Sequence, residues 1–256
     1  MLNCHFSMKK QSNLRSPTPF FPGVKRGALD VELNREMTKS DQINVIREFK
    51  NSGDSTSDRI DIVEKQLGVI GSLQPITDAA LSDNALLDDI TCWRQRNRHW
   101  FLTQFRATKE RTRTWLSQVV LTDDQRLLFL VLDSRQERIG HVGLSGIDCE
   151  SAEIDNVLRG KSAHPARLMF HAQNALIRWA HRVLGARNLF LRVFADNPRA
   201  IAGYEALGFR QTAAVGLARV ERNGEVRYEE TSNLNFNCER RLLRMTLDWK
   251  RFFAAE

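Results

Sequence analysis

The sequence predicts an α+β fold, a central mixed sheet of about six or seven strands flanked by helices. Three observations carry that reading. Residues 126–158 hold three short apolar runs joined by short polar turns, the pattern of an antiparallel meander. Residues 168–184 form an amphipathic helix, with Leu168, Ala172, Leu176, Trp179 and Val183 in one stripe. Residues 189–215 then alternate strand, helix and strand.

Taken in order, residues 1–27 are polar and punctuated by Pro17, Pro19 and Pro22, which predicts a segment without a fixed fold. Residues 42–49 and 59–70 show weak helical periodicity, through Ile43 and Ile46 and then Ile60, Val63 and Leu67. The polar connector 51–57 separates them. Residues 1–71 therefore read as a poorly ordered or helical N-terminal extension, and 72–256 as the main domain. Residues 71–76 predict a first strand. Residues 79–94 predict a helix with Leu81, Ala85, Leu86, Ile90 and Trp93 on one face, and Thr108 precedes another helix through Val120. The run 126–132 is continuous and apolar, as in a buried strand, and 138–147 and 152–158 complete the meander. Residues 189–195, 198–207 and 209–215 give strand, helix and strand. The polar stretch 223–237 predicts a loop, and 241–249 a final strand.

Composition narrows the function. A hydrophobic content of 42% with 27% charge is that of an ordinary globular protein. The net charge of +7 suits an enzyme for a phosphorylated ligand as readily as a nucleic-acid or membrane partner, and no nucleic-acid motif accompanies it, so neither is expected. Four scattered cysteines argue against a zinc site or a disulfide framework, and no run approaches the roughly 18 apolar residues of a bilayer span. The expectation is a cytoplasmic protein without a metal. There is no GxxxxGK[ST], GxGxxG, HExxH or GxSxG. His141, on a strand, reads as a hydrogen-bonded structural residue sooner than as a base.

One segment carries chemistry. Asp196-Asn197-Pro198-Arg199-Ala200-Ile201-Ala202-Gly203-Tyr204-Glu205-Ala206-Leu207-Gly208-Phe209 resembles the N-x-x-A-x-x-x-Y-E-x-x-G-F signature of the GNAT N-acetyltransferases. Upstream, Trp93-Arg94, Trp115, Ile139-Gly140, Ala152-Glu153-Ile154 and the helix at Leu168 follow the order of the RimJ/RimL-type branch. Within it, VLRG…LMFHA…LRVFADN is most similar to bacterial enzymes that acetylate amino-sugar nucleotides.

The resemblance implies acetyl-CoA as acyl donor and direct attack of an amine on the thioester. It places the pyrophosphate at residues 159–167, before the helix at Leu168, where N–H groups and the helix dipole favour an anion. The loop departs from the family's R/Q-x-x-G-x-G/A pattern: Gly160 is its one glycine, and Pro165 removes a donor. The cofactor residues so implied are Val157, Leu158, Arg159, Lys161, Arg167, Leu168, Asn197 and Ala200. Asn197 is also a good helix N-cap, compatible with a place beside the pantetheine arm. Tyr204 is implied as the acid for the leaving thiolate, although a Tyr at helical spacing is also an ordinary core residue. Glu153 matches the acidic position used to deprotonate the amine, and a surface carboxylate is the plainer alternative. Trp93, Arg94 and Asp155 are expected at the acceptor, a small-molecule amine, nucleotide-linked in the preferred reading. A homodimer is left open. The competing readings are a protein N-terminal acetyltransferase and a degenerate GNAT fold that only binds.

Overall fold

The computed structural model describes residues 37–52, 59–162, 165–231 and 238–254. Ten strands form one sheet: β1 (Ile60–Glu64), β2 (Gly68–Pro75), β3 (Thr103–Gln104), β4 (Leu127–Asp133), β5 (Arg138–Ser145), β6 (Ser151–Arg159), β7 (Asn188–Phe194), β8 (Phe209–Arg222), β9 (Glu225–Thr231) and β10 (Arg240–Leu247). Their order across the sheet is β1-β2-β4-β5-β6-β7-β10-β8-β9-β3. The class agrees with the expectation; the strand count exceeds it.

The excess has three sources, of which the two-residue β3 is the smallest. Residues 59–70, expected to be helical, form the β1–β2 hairpin. Spacing at 60, 63 and 67 mimics a helix, but Ile60 and Ile62 alternate with polar residues, and Ile62 is fully buried. The expected 71/72 boundary thus falls inside β2. Residues 223–231, expected in a loop, continue the sheet. Asn223 and Gly224 both take positive φ (52° and 74°), the two-residue turn that Asn-Gly favours between twisted strands. Residues 232–237, like 1–36, lie outside the described residues. Near the C-terminus the expected strand 241–249 stops at Leu247, and Trp249 opens the last helix.

Helices cover both faces. On one lie α1 (Lys39–Asn51) and α4 (Leu168–Val183), around a core that includes Ile46, Phe129, Ala172, Leu176 and Trp179. Thr38 and Asp41 close a reciprocal capping box that starts α1. Phe49, near its end, meets the rings of Phe129 and Trp179 edge-on at 5.9 and 5.0 Å. The segment before β1 is therefore packed into the same core as the sheet. On the opposite face, α2 (Asn84–Arg96) and α3 (Lys109–Trp115) enclose Leu87, Ile90, Trp93 and Leu116. The short α5 (Pro198–Ala206) follows β7, and α6 (Trp249–Ala254) follows β10.

The feature that positions the site is the one parallel pair among the described strands. β6 and β7 align at Ser151–Asn188, Ala152–Leu189 and Glu153–Phe190, and the ladder then stops. Beyond Glu153 the strands part. On its other side β6 carries a bulge: Asp155 faces Gly143 and Leu158 faces His141, so Asn156 and Val157 oppose Val142 alone. Asn156 takes the left-handed conformation, φ 51°.

Candidate active site

Where β6 and β7 part, a cleft of about 1070 Å³ opens through the sheet. Its floor is the bulge, one wall is the start of α4 with α5, and the other is the α2–α3 side. Among the described residues its lining holds seven arginines and two carboxylates, Glu153 and Asp155.

The α4 end suits an anion. Arg167 precedes α4 in the left-handed region, φ 70°, and its side chain makes no capping hydrogen bond to the helix. The leading N–H groups and the dipole of a 16-residue helix thus adjoin the cleft, with the Arg167 guanidinium 4.2 Å over the Phe170 ring. Arg159, Val157, Leu158, Asn197 and Ala200 also line it, as does Arg199. These groups fit a pyrophosphate-bearing cofactor without the missing glycines. Two expected cofactor residues do not reach the cleft. Lys161 lies 3.6 Å from Asp89 on α2, and Leu168 is buried in the core beneath α4.

Asn197 caps α5: its side-chain oxygen accepts from the Ala200 N–H at 3.2 Å, and Pro198 opens the helix. Tyr204, two turns on, lines the cleft and meets Phe209 edge-on at 6.1 Å. Burial, aided by the Asp155 charge, holds its phenol well above the ordinary tyrosine range, so the proton stays in place at neutral pH.

Glu153 and Asp155 project from β6 towards the α2–α3 side, and neither is a free carboxylate. Arg192 on β7 donates to both Glu153 oxygens, at 2.8 and 3.0 Å. Arg126 donates to Asp155 at 2.8 Å, and Asp155 accepts the Asn156 N–H at 2.7 Å. Sequence reasoning missed both arginines. Arg192 is 39 residues from Glu153, and only the β6–β7 register brings them together.

Arg94 behaves differently. Its guanidinium donates to the Thr103 carbonyl at 2.8 Å and lies 3.3 Å over the Phe101 ring, with Phe105 at 5.2 Å. Burial pushes it down to about 10 against a smaller opposing pull from the Asp155 charge, and among the described residues no carboxylate comes within 4.0 Å of it. Trp93, its neighbour, does not line the cleft. Its ring is 2% exposed and packs under Gly160, where any Cβ would lie 2.0–2.2 Å from ring atoms.

His141 lines the cleft from β5 and is buried, its Nδ1 2.6 Å from the Asn156 carbonyl. Because a carbonyl only accepts, Nδ1 carries the proton. Burial pushes the imidazole down to about 4 from 6.5. The folded chain therefore binds fewer protons than the unfolded one over that interval. The stabilisation is complete above pH 6.5 and is lost as pH falls towards 4. Between pH 7.5 and 4.5 the protein is expected to lose roughly 2–3 kcal/mol more than a His141→Asn variant. Urea unfolding at the two pH values checks this, and equal losses would refute it.

Comparison with known proteins decides the family. The sequence model described as the acetyltransferase (GNAT) domain matches residues 73–210. The chain belongs to the GNAT acetyltransferase family. It is thus an acyltransferase, of a family that uses acetyl-CoA. Among solved structures, a probable GNAT acetyltransferase from Chromobacterium violaceum is 17% identical with a TM-score of 0.56, the match covering 73% of this chain and 86% of that one. The spermidine N-acetyltransferase of Vibrio cholerae, solved with CoA and spermine, is also 17% identical with a TM-score of 0.53, covering 71% and 96%. At this identity the likeness concerns the GNAT fold. Comparison with curated proteins gives no match. β9, β10 and α6 lie beyond the matched stretch, and among the described residues no helix is long and apolar enough to cross a membrane.

Proposed function

We propose that this GNAT chain transfers the acetyl group of acetyl-CoA to the primary amine of an anionic acceptor, an amino-sugar nucleotide of surface glycan synthesis. The observation that carries the acceptor class is Arg94. A half-buried guanidinium whose nearest opposing charge, Asp155, acts only at a distance and is already bonded to Arg126 is costly unless something supplies the missing charge. A phosphate or diphosphate on the acceptor does so, and Phe101, Phe105 and Trp115 give a planar base apolar surface. A polycation fits poorly, since Glu153 and Asp155 are already paired and the remaining lining charge is positive.

Acetyl-CoA supplies the acyl group as a thioester. The uncapped α4 N-terminus with Arg159 and Arg167 holds its pyrophosphate, and α5 flanks the pantetheine arm. The amine nitrogen forms the C–N bond, the C–S bond breaks, and Tyr204 protonates the departing sulfur. Burial that raises the phenol raises a bound thiol in the same direction, so the transfer stays close to balanced. The amine must arrive neutral. Arg94, Arg126 and Arg192 disfavour a second cation nearby, and Glu153, hydrogen-bonded to Arg192, takes the proton through water.

Free thiol release from acetyl-CoA, measured with amino-sugar nucleotides, spermidine and short peptides, tests the acceptor. Turnover with the nucleotide-linked amines is expected. Acetylation of peptides alone or spermidine alone would reject the anionic acceptor. Arg94→Gln is expected to lower kcat/KM for the acceptor about 10- to 30-fold, the worth of one charge-assisted hydrogen bond, with acetyl-CoA affinity unchanged. An unchanged kcat/KM would remove Arg94 from the acceptor site.

A further inference from the structure

We infer that His141 is a positioning residue that fixes the β6 bulge, and through it the backbone donor presented to the thioester carbonyl. The inference rests on the acyl-transfer reading above, but its structural core is independent of any substrate. Asn156 sits at φ 51°, a conformation that a side-chain-bearing residue adopts at some cost. Two groups hold it there. Asp155 accepts the Asn156 N–H at 2.7 Å, and the Nδ1–H of His141 donates to the Asn156 carbonyl at 2.6 Å. Both backbone polar groups of Asn156 are therefore taken by side chains.

The consequence falls on the next residue. Asn156 and Val157 stand outside the β5–β6 ladder, and the β6–β7 ladder has already ended at Glu153. Val157 lines the cleft at the level of the strand opening. With the Asn156 peptide groups tied, the Val157 N–H faces the place where negative charge develops on the acyl oxygen as the amine attacks. A fixed donor stabilises that charge without reorganising. His141 lies on the neighbouring strand, touches none of the reacting atoms, and acts through Asn156 alone.

Two variants separate this role from simple core packing. His141→Asn keeps an N–H donor near the Nδ1 position, whereas His141→Leu fills the space and removes the donor. The first readout is amide hydrogen exchange at Leu158, which rejoins the β5 ladder opposite His141 directly after the bulge, with β4 amides as internal reference. His141→Leu should speed exchange by about tenfold or more at that amide and leave β4 unchanged, and His141→Asn should restore protection. The second is kinetic: His141→Leu should lower kcat about 10- to 100-fold with KM for acetyl-CoA within about threefold, and His141→Asn should recover most of it. Equal exchange in wild type and His141→Leu would overturn the inference, as would equal kinetic losses in both variants. The exchange readout needs no turnover, so a wrong acceptor assignment and a wrong role for His141 give different results.

Discussion

Tyr204→Phe is expected to lower kcat roughly 10²- to 10³-fold while acetyl-CoA affinity stays within about threefold, the signature of losing one positioned acid. The phenyl ring of the variant keeps the edge-on contact with Phe209, so α5 should hold its place. Asn197 and Pro198 still start that helix, so the wall of the cleft persists. Only the hydroxyl is lost, and with it the proton for the departing sulfur. Stopped-flow measurement of thiol release, with cofactor binding measured separately, reads the two effects apart. An unchanged rate would take Tyr204 out of the chemistry and leave it as a packing residue.

Gly160→Ala is expected to destabilise the fold by about 3 kcal/mol, the upper part of the range for overpacking a core. The new methyl would sit 2.0–2.2 Å from three atoms of the Trp93 ring. That ring cannot swing aside, being 2% exposed among Leu87, Ile90 and Leu158. Nor can the backbone move freely, because the N–H groups of Gly160 and Lys161 both donate to the Ile139 carbonyl, at 2.8 and 2.9 Å. Denaturant unfolding of Gly160→Ala, Trp93→Phe and the double variant checks the mechanism. The smaller ring should recover part of the loss, giving a coupling of more than about 1 kcal/mol. Additive effects would show that Trp93 is not what the methyl meets.

The single glycine of the loop thus serves packing, and this bears on what the sequence could reveal. The meander at 126–158 and the helix from Leu168 are legible because their apolar residues keep one period. The β9 strand is not: it is exposed on alternating and adjacent positions alike, and its one local signal is Asn223-Gly224. The β1–β2 hairpin reads as helix because three of its apolar positions happen to match a helical spacing.

In the site, the legible residues are those set by local order, Asn197 with Tyr204 on one helix and Arg159 with Arg167 around one loop. Arg126 and Arg192 are hidden because strand register, not sequence proximity, sets them against Asp155 and Glu153. Trp93, in a run that mixes aromatics with bases, reads as a recognition surface. The fold turns it inward as the seat for Gly160, and its neighbour Arg94 alone faces the cleft. Helical phase separates the two, and phase near a helix end is the part of a pattern least fixed by sequence.

The central claim is that the parting of β6 and β7, with the uncapped start of α4, forms an acetyl-CoA cleft although its loop has one glycine. Isothermal titration of the full chain with acetyl-CoA tests it most directly. The account predicts saturable 1:1 binding in the micromolar range, of the order of 7–8 kcal/mol, weakened by Arg167→Ala and unaffected by Arg94→Gln. Absence of binding at millimolar acetyl-CoA would contradict it.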